Sequence, residues 1–170
     1  MFVVTISHKF NQYKVSYMED TEKYMHRAIE LAQQAAQNDE VPVGAIVVNP
    51  QTGEIIAEAY NLSEHGANAC EHAEIIAMRL ACEKLQTNRL WDMDLYVTLE
   101  PCTMCATAIS FMRIRKLFFG AKDAKGGGVT SGVKFYESTT CHHRPEVYGE
   151  ICAGKCGQLL KDFFKSKRQK

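Results

Sequence analysis

The sequence predicts an α/β fold, a three-layer α/β/α sandwich with about five strands in one sheet and helices on both faces. Three observations lead there. Helix-spaced and strand-like apolar segments alternate along the chain, which favours one sheet covered by helices. The length of 170 residues suits one domain with one core. Apolar residues make up 46% and charged residues 24%, and no apolar run reaches the roughly 18 residues of a bilayer span.

The elements follow in order. Residues 1–17 show no clear periodicity and read as an N-terminal extension, with residues 18–170 as the domain. Met25, Ala28, Ile29, Ala32 and Ala35 recur at helical spacing, so a helix is expected from Thr21 to Asn38 with Asp20 or Thr21 as its cap. "VPVGAIVVN" reads as a buried strand, "NPQTG" as a turn and "EIIAEAYN" as the second arm of a hairpin. Ala73, Ile76, Ala77, Leu80 and Ala81 mark a second helix over about Ala73 to Leu85. "DLYVTLE" is a third strand, "CTMCATAISFMR" a third helix and "IRKLFFG" a fourth strand. A short fifth strand is expected near Pro145–Tyr148 and a last helix over about Cys152 to Lys165. The glycine-rich "KDAKGGGVTSG" lacks the Lys-Ser/Thr of a phosphate-binding loop.

Charge narrows the function classes. The formal net charge is zero, which argues against a domain that coats nucleic acid non-specifically. The ending "KDFFKSKRQK" nevertheless sets Lys161, Lys165, Lys167, Arg168 and Lys170 around two phenylalanines. No secretory h-region is visible before His8 and Lys9, so a cytoplasmic address without membrane attachment is expected. The seven cysteines are an odd number; in a reducing compartment they serve packing, metal binding or catalysis.

The sharpest local feature is "TLEPCTMC". Cys102 and Cys105 lie three apart at the predicted start of a helix, on one face, where the helix N-terminus favours thiolates. Such a pair can be a redox dithiol or half of a metal site. With Cys152 and Cys156 it would form a closed four-cysteine structural site. With His72 it would give three protein ligands and leave a fourth position for water, the arrangement of catalytic zinc. The second set brings Glu74. On a regular helix, residues two apart point about 200° from each other, so His72 and Glu74 converge only if the helix starts there and the site lies beyond its end. A carboxylate in that place can take and return a proton; alone, it equally suits the first turn of any helix.

"HAE" followed by "PCTMC" matches the H-x-E…P-C-x-x-C signature of zinc nucleobase deaminases. Further segments, "VPVGAIVV", Asn61 in "YNLS", "HAEIIAMR", "LYVTLEPCTMC", "FGAKDAKGG" and the tail "LLKDFF", come in the order seen in bacterial tRNA adenosine deaminases. From about Met18 to its end, the chain resembles that family. The resemblance implies a cytidine deaminase-like fold with a mixed sheet and a homodimer holding one Zn²⁺ per subunit. The implied reaction is hydrolytic deamination of adenosine to inosine at the wobble position of a tRNA anticodon, with an arginine tRNA as the favoured substrate. His72, Cys102 and Cys105 would be the zinc ligands, and Glu74 would shuttle the proton between a zinc-activated water, N1 and departing ammonia. Asn61, Val43 and Leu99 would contact the base. Asp123 and Lys125 would meet the anticodon backbone, and Phe164, Lys165, Lys167 and Arg168 the stem-loop, where aromatics stack on bases and cations neutralise phosphate. Thr107, "GGGVTSG", "CHHRPEV" and Cys70 depart from the family pattern. The rival within enzymes is a deaminase of free guanine, cytosine or a cytidine nucleotide; outside enzymes it is a zinc-stabilised binding module built on the four cysteines.

Overall fold

A computed structural model describes residues 5–168. The order of elements is α1 (Thr5–Gln37), β1 (Gly44–Asn49), β2 (Glu54–Tyr60), α2 (Ala73–Leu85), β3 (Asp94–Leu99), α3 (Thr103–Phe111), β4 (Lys116–Ala121), a 3₁₀ turn (Phe135–Glu137), β5 (Glu146–Tyr148) and α4 (Ala153–Lys167). The five strands form one sheet in the order β2-β1-β3-β4-β5. β1 is antiparallel to both β2 and β3, whereas β3–β4 and β4–β5 are parallel, so the sheet is mixed as expected.

Strand alternation divides the core into two layers. Ala45 and Val47 of β1, Leu95 and Val97 of β3, and Leu117 and Phe119 of β4 face α2 and α3. Their neighbours Ile46, Val48, Tyr96 and Phe118 face the other way, against Met25, Ala28 and Ile29 of α1 and Cys156 of α4. Period-2 side-chain direction thus makes each central strand apolar on both sides. The close packing of α1 on β1 depends on Gly44, where a Cβ would fall 2.7 Å from the backbone nitrogen of Ala32.

Two expected helix boundaries move. The first helix does not start at Asp20 or Thr21; α1 runs on from Thr5, and Thr21 is a buried residue of its interior. An apolar stripe at helical spacing marks only the part of a helix that packs on a core, so its beginning is a poor guide to where the helix begins. Residues 1–4 of the expected extension lie outside the described residues, as do residues 169–170, including Lys170. The third helix is also shorter than expected, because Arg113 adopts a positive φ of 63° and the chain turns.

Candidate active site

Two helix starts build the site. β3 ends at Leu99, and Glu100 and Pro101 carry the chain to Cys102, the N-cap of α3, with Cys105 buried in its first turn. His72 is the N-cap of α2, in extended conformation with no capping bond from its side chain, which leaves the imidazole free to face the cysteines. Its Nδ1 lies 3.7 Å from Cys102 Sγ and 3.4 Å from Cys105 Sγ. Two ligands of a tetrahedral zinc, one sulfur and one nitrogen, are about 3.6 Å apart for ordinary bond lengths, so the donor set fits that ion. Among the described residues, His72, Cys102 and Cys105 are the one His/Cys/Asp/Glu group whose ligand atoms all lie within 4.8 Å of one another. Cys156 packs in the layer on the opposite side of the sheet, beside Cys152, so the four-cysteine site is not assembled.

The electrostatics suit a metal. A hydrogen bond from Cys105, with help from His72, holds the Cys102 thiol at about 4, well into thiolate territory. Cys105 retains the shared proton and is raised accordingly, with burial adding to the effect. His72 is raised by its bond to Cys102 and by the Glu74 carboxylate. Glu74 is 3% exposed, and burial pushes its carboxyl above the usual range. It therefore holds a proton more readily than a surface glutamate.

A cavity of about 230 Å³ opens from this cluster. Val43 and Leu99 supply apolar wall, with Asn61, Glu74 and Asp123 as polar groups. Asn61 is buried; its Oδ1 accepts the N–H of Ala73 at 3.0 Å, and its amide nitrogen is 3.4 Å from Ser63 Oγ. Asn61 thus caps α2, and both it and Ser63 line the cavity. Asp123 also borders a second, open groove of about 820 Å³, formed with Lys125, Phe164, Lys167 and Arg168 and completed by Leu160 and Lys161. Lys165 does not line it. Lys167 also pairs with Asp39 at 2.6 Å and lies over the Phe163 ring. A depression of about 890 Å³ beside Arg79, Glu83 and Phe111 is larger but contains none of the predicted site residues.

Nothing in the sequence singled out Ser63 or Leu160 on these walls, and Lys161 stood out only as one cation of the tail. Two buried acids were likewise unmarked. Glu40 accepts the backbone N–H groups of Glu64 and His65 and shapes the loop between β2 and α2. Glu100 lines the cavity and collects donors from residues 123–131. The only signal for Glu100 was a carboxylate at the end of a largely apolar strand, next to "PCTMC".

Fold and site together define a zinc-dependent deaminase: residues 18–121 match the family model of the cytidine and deoxycytidylate deaminase zinc-binding region. The chain is 47% identical over 151 residues to the tRNA-specific adenosine deaminase of Agrobacterium fabrum, covering 89% of this chain and 98% of that one. It is 41% identical over 153 residues to the tRNA-specific adenosine deaminase of Bacillus subtilis, covering 90% and 94%. A solved structure of a tRNA deaminase that edits A to I at the wobble position superposes with a TM-score of 0.79 and 48% identity, over 81% of this chain and 99% of that one. The chain belongs to the tRNA-specific adenosine deaminase family.

Proposed function

We propose that this chain hydrolyses adenosine to inosine at the wobble position of a tRNA anticodon, with His72, Cys102 and Cys105 holding one Zn²⁺. The observation that carries this reading is the meeting of His72 Nδ1 and the two sulfurs beside buried Glu74 at one cavity. When bound there, the ion lowers the pKa of a water to about 7 and so supplies a nucleophile at neutral pH.

The chain's own groups supply the rest. Glu74 takes the proton that the water gives up, delivers it to N1 of the base, and later assists protonation of the amine that leaves as ammonia. Burial favours the uptake half of that cycle, because it raises the affinity of Glu74 for the proton it takes from water. Val43 and Leu99 exclude water around the base, and Asn61 offers it an amide hydrogen. The adjoining groove presents Lys125, Lys167 and Arg168 for phosphate and exposed Phe164 for a splayed base. The similarity to tRNA-specific enzymes supports this division. In the same reading, residues 18–170 form the deaminase unit, the enzyme works as a homodimer in the cytoplasm, and an arginine tRNA is its substrate. No helix among the described residues is long and apolar enough to cross a membrane.

The test is an inosine assay on an anticodon stem-loop with adenosine at the wobble position, run beside free adenosine, guanine and cytidine. Inosine in the stem-loop is the expected result; turnover of a free base with none of the stem-loop contradicts it.

A further inference from the structure

Glu100 stands two residues before Cys102 and is 2% exposed. Its carboxylate is satisfied by one loop. Oε1 accepts the N–H groups of Thr130 and Ser131, both at 2.7 Å, with Val129 N–H at 3.3 Å and Thr130 Oγ1 at 3.2 Å. Oε2 accepts Ser131 Oγ at 2.8 Å and Asp123 N–H at 3.1 Å. So one buried carboxylate gathers both ends of residues 123–131. The glycines explain how the loop comes so near: a Cβ at Gly127 would sit 2.6 Å from the Glu100 carboxyl carbon.

The loop held in this way faces the substrate. Asp123 borders both the base cavity and the open groove. Its Oδ1 accepts the N–H groups of Lys125 and Gly126, each at 3.0 Å, so the position of Asp123 sets the turn that displays Lys125. The same loop also meets the zinc-ligand segment: Gly127 pairs with Cys102 in an isolated antiparallel bridge, and Gly128 N–H donates to Pro101 O at 2.8 Å. The Glu100 N–H bonds Ala121 O within the sheet region at 2.8 Å, and Cys102 and His72 are backbone caps of α3 and α2.

We propose that Glu100 is a positioning residue for the polynucleotide substrate, acting through the backbone of Asp123 and the turn that carries Lys125. The assignment rests on the reading of the groove as the seat of an anticodon stem-loop. A carboxylate suits the task because every group around it donates. An amide would turn its own N–H₂ toward donors and lose the bonds on that side.

The experiment compares wild type, Glu100→Gln, Asp123→Ala and the double variant as zinc-loaded enzymes on the stem-loop. Glu100→Gln is expected to raise KM about tenfold while kcat stays within about threefold, the signature of lost substrate binding. Zinc content should not change, and the amides of Thr130 and Ser131 should exchange faster. In the Asp123→Ala background the same change should raise KM by less than about threefold, since the Oδ1 through which a held Asp123 sets the Lys125 turn is gone. A fall in kcat at unchanged KM, or KM penalties that multiply in full, overturns the proposal. Should Glu100→Gln fail to fold, Ser131→Ala decides: it removes one donor from the oxygen that also holds Asp123. A raised KM in that variant supports the proposal, and an unchanged KM overturns it. Wild-type enzyme that deaminates a free base but not the stem-loop overturns the functional reading and this assignment with it. Wild-type activity on the stem-loop with no KM response overturns the assignment alone.

Discussion

Glu74 and His72 occupy adjacent levels of one helix start, yet their environments separate their tasks. His72 faces two sulfurs, whereas Glu74 is enclosed beside the cavity. Glu74→Gln should therefore keep zinc at one ion per chain and lose activity by about 10²–10⁴-fold, the usual worth of a general acid–base group; metal analysis and inosine formation read the two quantities. Their meeting was legible because the short spacings H-x-E and C-x-x-C fix geometry within a turn. Glu100 and Glu40 were not, because their donors come from residues 123–131 and 64–65, far away in sequence. A buried acid looks the same on paper whether its partners exist or not.

Among the elements, the contact between α1 and the sheet combines apolar packing with one two-pronged ion pair. Arg27 donates Nε and a terminal nitrogen to the Glu58 carboxylate of β2 at 2.8 and 2.7 Å. That bond holds Glu58 below its ordinary value of 4.5. Its contribution to stability is fully present above that value and is lost as pH falls through the lower, folded-state value. Urea midpoints measured at about pH 6 and about pH 3 should differ less in Glu58→Gln than in wild type. The same layer holds an aromatic stack in which Phe118 lies 4.4 Å from Tyr96 and 4.9 Å from Tyr148 by ring centroids. Phe118→Ala should cost about 3–5 kcal/mol by denaturant unfolding. Element types and most boundaries could be read from apolar period. The upstream part of α1 could not, because no stripe marks it, and α3 ends early through a positive φ that Arg113 does not advertise.

At the scale of the whole molecule, zinc binding and folding are linked equilibria. The ligands come from α2 and α3, on either side of β3 in sequence, so an ion that binds only the folded chain ties these parts together. Free zinc a thousandfold above its Kd adds about 4 kcal/mol; for a chain of this size, chelation should lower Tm by about 8–16 °C. In the proposed function, the placing of the cavity beside a basic, aromatic groove is what directs the deaminase core to a polynucleotide. The tail residues Phe164, Lys167 and Arg168 reach that groove because α4 packs back across the sheet to the 123–126 loop. The tail's cluster of cations and aromatics was visible in sequence, but its alignment with Asp123 and Lys125 arises only from that packing. Inosine mapping in an anticodon stem-loop treated with the zinc-loaded enzyme decides whether this chain acts on the wobble adenosine. Inosine is expected at the wobble position and nowhere else in the loop; a loop left unchanged by enzyme that deaminates free guanine or cytidine contradicts the proposed function.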